Sequence, residues 1–204
     1  MKIRPLTKQE LTKYFSDYRR EFPDWAVEHD VVLTRQQEPL KQRIAFEALR
    51  DGTYRPSHSM DVLIAPDVGI LPRFLDIKHR EILPREHAGK WRQVVRAMEE
   101  QFQPSIRKPL DVVEVLRLGE QEVALSPQAN ANYLTGLAAL SAYVGDVERA
   151  LSWGDRVEER LRSQGRPPAP WELRLADFNR RLRQAVQSGQ QRAFLQANRQ
   201  TRQE

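Results

Sequence analysis

The sequence predicts an α+β protein, in which helices pack a small antiparallel sheet around a β-hairpin at residues 59–82 and an all-helical C-terminal region follows. Residues 62–65 form a short apolar run, and the turn residues Pro66 and Gly69 follow it, which favours a buried strand. Helical apolar periodicity flanks this segment on both sides and continues from Leu134 almost to the end. We expect an α+β domain over 1–125, a docked helical hairpin with a terminal helix over 126–188, and a basic, disordered tail over 189–204.

Composition limits the classes of protein that the chain can form. Its 204 residues are 40% hydrophobic and 30% charged, which is typical of a globular chain of one domain or two small ones. The absence of cysteine excludes disulfides, thiol catalysis and cysteine-bound zinc. The sequence contains no run of roughly 20 apolar residues, and its first residues lack the apolar core of a signal peptide. These features predict a cytoplasmic protein without a membrane span.

The first fifty residues predict two helices with a strand between them. Thr7 and Glu10 have the spacing of a capping box, and an apolar stripe follows until Pro23 ends the helix. Residues 25–35 carry an imperfect alternation that favours a strand. We expect a second helix over 39–50, because proline suits the first helical position and the apolar residues recur at helical spacing.

The hairpin is predicted to return through Phe74 to Ile82, with Asp76 and Lys78 on one face of the second strand. An amphipathic helix over 91–102 then covers the apolar face of the hairpin. Residues 110–118 fit either a buried strand or a short helix, and we favour the strand, broken by Gly119.

Two helices joined by a tight link are predicted in the last third of the chain. Gly145 ends the first helix and Asp146 caps the second. Over 134–161 the pair resembles a tetratricopeptide repeat, with matches at Leu137, Ala138, Gly145 and Ala150 and departures at Ser141, Gly154 and Arg162. The resemblance implies a helical surface suited to protein partners. One copy cannot stand alone, so we expect it to dock on the rest of the protein.

Few catalytic motifs are present. The sequence has no G-x-S-x-G, no phosphate-binding glycine loop and no H-E-x-x-H. Asp61, Asp76 and Lys78 resemble the PD-(D/E)xK nuclease pattern, with Asp67 as a rival first acid and Glu38 or Glu47 as the upstream acid. The resemblance implies that Asp61 and Asp76 hold Mg²⁺ or Mn²⁺ while Lys78 orients the attacking water. The competing interpretation is an ordinary half-exposed strand.

The C-terminal segment carries a net positive charge. Between residues 178 and 203 there are six arginines and no acid, and we take Arg180, Arg181 and Arg183 as candidate partner-binding residues. Tryptophan is favoured as an interface anchor, and Trp171 lies at the end of an apolar stripe. The sequence therefore predicts a non-enzymatic interaction protein, without a cofactor, for a protein or acidic partner, with nucleic acid as a further candidate. The alternative is a metal-dependent nuclease or an inactive relative of one.

Overall fold

A five-stranded antiparallel sheet forms the β part of the protein, which a computed structural model describes at residues 4–66, 68–76, 81–126 and 128–200. Neighbouring strands follow one another along the chain, so the sheet is a simple meander. The strands are β1 (Ala26–Glu28), β2 (Val32–Gln37), β3 (Leu40–Ala48), β4 (Tyr54–Val62) and β5 (Gly69–Phe74). Buried and half-buried side chains alternate along β3 and β4, which gives the sheet one covered face.

Seven α-helices lie in the part of the chain that the structure describes, and most of them follow the sheet. They are α1 (Lys8–Glu21), α2 (His87–Gln101), α3 (Val112–Leu125), α4 (Ala131–Val144), α5 (Val147–Arg162), α6 (Pro170–Gln187) and α7 (Gln191–Gln200). The predicted α+β class is confirmed, with its helical C-terminal region. No described helix has the length and apolar character that a bilayer crossing requires.

Side chains cap several helix starts, as their sequences predict. Thr7 and Glu10 form the predicted capping box at α1, and the Asp146 side chain accepts a hydrogen bond from the Arg149 backbone at the start of α5. Gly145 ends α4 with a φ of 87°, a left-handed conformation that suits glycine.

The chain packs as two compact units, each of which is discontinuous in sequence. The first comprises residues 1–37, 41–60 and 71–109. Its core brings Phe15 and Tyr18 of α1 and Trp91 of α2 together with Phe46 and Tyr54 of the sheet. The predicted helix after the hairpin therefore does join the covered face of the sheet.

The second unit comprises residues 38–40, 61–70 and 110–204. Its central element is α4, which is buried around most of its circumference. Packing around α4 comes mainly from α5, with α3, α6 and α7 alongside. Val62 at the end of β4, Val68 just before β5 and Ile70 at the start of β5 contribute to this core, so the described part of residues 110–204 is only a portion of the unit.

The predicted helix over 39–50 is wrong, because this segment is β3. The side chains at positions 40, 42, 44 and 46 are buried at a period of two, and the second of these positions is the polar Gln42. Because a polar residue interrupts the apolar alternation, the sequence of this segment also fits the apolar stripe of a helix.

The strand that we favoured over 110–118 is also wrong, because these residues begin α3. The Asp111 side chain accepts a hydrogen bond from the Val113 backbone at 2.9 Å and caps the helix. Gly119 lies inside α3, where a Cβ atom would be 2.6 Å from Cδ2 of Leu137. The glycine therefore permits close helix packing and does not break the element.

The hairpin exists, but its bounds differ from the prediction. Its first strand begins at Tyr54, and β5 ends at Phe74, where we expected the return strand to start. Residues 77–80 lie outside the described part of the chain. Beyond them Ile82 pairs with Tyr54 as an isolated bridge.

The tail expected to be disordered from residue 189 is helical over Gln191–Gln200. Leu195 is buried, and the Asn198 side chain donates a hydrogen bond to the backbone carbonyl of Ile64 at 2.9 Å. These tertiary contacts order a segment whose composition alone indicates disorder.

Candidate functional site

The exposed side of α6 carries a row of arginines, and we call this row the α6 arginine face. Helical spacing places its members on one side of α6: Leu173, Arg174, Asp177, Arg180 and Arg181. The opposite side of α6 is buried through Leu175, Phe178, Leu182 and Val186. Burial of that stripe fixes the helix and turns the arginines outward.

One carboxylate lies among the three arginines of this face. Asp177 accepts from Arg180 at 2.5 Å and lies 3.9 Å from the nearest nitrogen of Arg181. The Arg181 guanidinium also lies 5.5 Å from the centre of the Phe194 ring. Exposed ion pairs of this kind contribute only about 0.2–1 kcal/mol each, so an acidic partner can replace Asp177. The face keeps a net charge of +2.

Arg183, which the sequence groups with Arg180 and Arg181, has a different role. It forms ion pairs with Asp155 at 2.8 Å and with Glu158 at 2.6 Å, and its side chain is 25% exposed. Both acids belong to α5, so Arg183 links α5 to α6 and is not part of the outer face.

Arg174 belongs to the face but was not among the predicted partner-binding residues. The arginine-rich stretch was counted from residue 178, whereas Arg174 precedes Arg181 by seven residues, or two helical turns. Once α6 is recognised as a helix, that spacing is the signal that identifies Arg174.

A groove of about 330 Å³ runs along the face. Leu173 supplies exposed apolar surface beside the largely buried Phe178. Arg174, Arg181 and Asp177 supply two positive charges and one negative charge, and Asn198 of α7 also lines the groove. An apolar surface flanked by arginines can accept an acidic segment that carries an apolar side chain.

The structure describes two of the three residues that resemble the nuclease pattern, Asp61 and Asp76, and each belongs to a different unit. Asp61 is half-buried in β4 and belongs to the second unit. Asp76 is exposed beyond the end of β5 in the first unit, where its backbone N–H donates to the Gln101 side chain at 2.8 Å. The expected placement of Asp76 on the return strand is therefore wrong. Lys78 and the rival acid Asp67 lie outside the described residues, so a metal site there stays a prediction.

The two upstream acids proposed for that constellation form ion pairs elsewhere. Glu47 pairs with Arg55 at 3.0 Å and accepts from the Ser57 hydroxyl at 3.2 Å. Glu38 pairs with Arg199. Among the described residues no group of three histidine, aspartate or glutamate side chains is arranged to hold a metal ion.

A chain of hydrogen bonds in the first unit could not be foreseen from sequence. The Tyr18 and Tyr54 hydroxyls lie 2.9 Å apart, Tyr54 meets Nδ1 of His87 at 2.6 Å, and Nε2 of His87 lies 2.8 Å from Asp17. Burial raises the pKa of both tyrosines and lowers the pKa of His87. Both tyrosines are fully buried, so the chain connects α1, the sheet and α2 internally.

A second polar cluster lies on the covered face of the sheet. Nε2 of Gln42 lies 2.9 Å from Nε2 of His58 and donates to the Pro104 carbonyl at 3.1 Å. The Arg35 guanidinium donates to the Gln42 side-chain oxygen at 2.6 Å. Burial, together with the charges of Arg73 and Arg35, lowers the pKa of His58 to about 3. His58 is therefore neutral at physiological pH.

Comparisons with known proteins give no match. The chain matches no protein-family model, and neither the curated proteins nor the solved structures contain a significant match.

Proposed function

We propose that the chain is a non-enzymatic binding protein whose α6 arginine face docks an acidic segment of a partner protein. The observation that carries the proposal is the charge of the last two described helices. Between residues 170 and 200 there are six arginines and two acids, Glu172 and Asp177, a net charge of +4. Glu172 is buried, and its two side-chain oxygens accept from Arg166 at 2.8 and 2.9 Å.

Two further features favour a protein partner. Arginine is enriched among the residues that carry the binding energy of protein interfaces, and Leu173, which is 55% exposed beside Arg174, adds apolar surface to the face. The helical hairpin of α4 and α5, which resembles a tetratricopeptide repeat, supports the same class of function.

Fluorescence anisotropy with a labelled synthetic peptide tests this proposal. The peptide carries four Asp or Glu residues around a central Leu-Phe pair, and its control carries Asn and Gln in place of the acids. We expect the acidic peptide to bind and the control to bind at least tenfold more weakly, which is about 1.4 kcal/mol. The double variant Arg174→Glu, Arg181→Glu should bind the acidic peptide at least tenfold more weakly than wild type does.

A matched charge reversal on another helix is the control. Arg117 is an exposed residue of α3, so Arg117→Glu should leave peptide binding within about twofold. A single-stranded oligonucleotide of equal charge tests the nucleic-acid candidate. If the oligonucleotide binds more tightly than the peptide, and the double variant no longer binds the oligonucleotide, the proposal of a protein partner is wrong. Equal binding by wild type and the double variant contradicts the arginine face itself.

A further inference from the structure

The second unit holds a groove on the other side of α7, distinct from the α6 arginine face, and we call it the α7 groove. Its volume is about 410 Å³, within the range of about 300–1,000 Å³ that small-ligand sites occupy. The apolar part of its lining comes from three buried residues, Pro39, Ile64 and Leu195. Such a surface can cover the apolar body of a small molecule.

Charged side chains at this groove leave one positive charge uncompensated. Arg192 and Arg199 line it from one side of α7, seven residues apart, and Glu38 is the one acid in the lining. Glu38 pairs with Arg199, whereas Arg192 is exposed and forms no ion pair with any described residue. The net charge of +1 matches a monoanion, and Glu38 opposes a dianion.

A further side chain can contribute to binding. Tyr143 lines the groove and is 38% exposed, which makes its ring and hydroxyl accessible.

We propose that the α7 groove binds a small organic monocarboxylate, with the carboxylate on Arg192 and the apolar body on Pro39, Ile64 and Leu195. A guanidinium presents two parallel N–H groups that match the two oxygens of a carboxylate. This inference does not depend on the proposed function, because it uses another groove and another set of arginines.

Titration of the full chain with N-acetyl-leucine, followed by ¹H–¹⁵N NMR, tests the proposal. N-acetyl-leucinamide has the same shape without the charge and is the control ligand. We expect saturable shifts, with a Kd below about 10 mM, confined to residues 38, 64, 143 and 192–199. The amide should bind at least tenfold more weakly. Equal binding of the two ligands, or no saturable shift, overturns the proposal.

Two variants separate the groove from general charge effects. Arg192→Gln should weaken the binding of N-acetyl-leucine at least tenfold. Arg117→Gln, which removes an exposed arginine of α3, should leave the affinity for N-acetyl-leucine unchanged. An otherwise unchanged amide spectrum of Arg192→Gln establishes that this variant is folded. Unchanged affinity in Arg192→Gln contradicts the assignment of the carboxylate to Arg192.

Two further ligands test the class of molecule. N-acetyl-aspartate, a dianion, should bind more weakly than N-acetyl-leucine because of Glu38, and tighter binding contradicts the charge match. N-acetyl-leucine could instead shift no amide signal while Arg192→Gln abolishes binding of the acidic peptide. In that case the groove belongs to a protein interface and the small-ligand proposal is wrong.

Discussion

Gly136, in the middle of α4, is the position where one added carbon has the clearest consequence. A Cβ atom there would lie 2.7 Å from Cγ1 of Val68 and 2.8 Å from Cγ2 of Ile70. Both neighbours are β-branched and buried, so neither can rotate away. We expect Gly136→Ala to lower the free energy of unfolding by about 1–3 kcal/mol in urea denaturation, despite the better helix propensity of alanine.

Gly89 of α2 provides the matched control. Nothing lies within 4 Å of the place where its Cβ would be, and the residue is exposed. Gly89→Ala should therefore be neutral or stabilise the protein by up to about 1 kcal/mol. A Gly136→Ala protein as stable as wild type would show that the strand ends yield to the extra carbon.

The glycines show which roles of a single residue can be predicted from its local sequence and which cannot. Gly145 was correctly predicted to end a helix, because a capping residue follows it immediately. Gly119 was wrongly predicted to break an element, and Gly136 gave no signal at all. Their role depends on Leu137, Val68 and Ile70 across the interior, and no local pattern reports those neighbours.

At the scale of elements, β3 shows how a buried polar pair hides a strand. Gln42 and His58 are at most 1% exposed on neighbouring strands, and each satisfies a polar atom of the other. The pair replaces apolar residues in two alternating patterns, so β3 was predicted as a helix and β4 was predicted too short. The periodicity of a short apolar run does not distinguish a helix from a strand, and here pairing with the neighbouring strand makes the segment a strand.

The buried His58 also makes stability depend on pH. Its pKa is lowered to about 3 in the folded protein, against about 6.5 in the unfolded chain, so the unfolded state binds more protons between these values. Stability is therefore present above pH 6.5 and falls as the pH drops through this window. The loss should approach about 1.4 kcal/mol per pH unit where the slope is greatest.

Urea denaturation of His58→Gln between pH 4 and pH 7 measures this contribution. The glutamine oxygen can still accept from Gln42, and the variant should show a shallower loss of stability towards acid than wild type. His29 is exposed with a φ of 49°, a conformation that asparagine tolerates, so His29→Asn is the control and should follow the wild-type slope. Parallel curves for wild type and His58→Gln would assign the acid sensitivity to other groups.

For the molecule as a whole, the sequence predicted the α+β class correctly but could not predict how the two units are composed. Residues 38–40 and 61–70 belong to the unit that holds the C-terminal helices, although each lies within the sheet region of the sequence. Likewise, the arginine-rich composition indicated an interaction surface, but only the helix orientation separates Arg180 and Arg181 from the buried-side contact of Arg183. Long-range packing decides both, and it leaves no local pattern.

This composition predicts that residues 110–204 do not form a stable unit alone, although they include all of α3 to α7. In the full chain Val62, Val68 and Ile70 are buried against Gly136, and each contributes roughly 1.5–3 kcal/mol. Their sum is comparable with the whole stability of a typical domain, about 5–15 kcal/mol. Hydrogen exchange should therefore show at least about 100-fold faster exchange at residues 135–139 in the fragment than in the full chain.

Joining residues 54–74 to the fragment through a Gly-Ser linker is the restoring control. The linked hairpin returns the three apolar side chains at high effective concentration, so protection in α4 should recover in part. The same linked hairpin carrying Val68→Asp should fail to restore it, because the carboxylate would have to be buried against α4. If the bare fragment already exchanges as slowly as the full chain, the helices carry their own stability and the strand ends merely cover them.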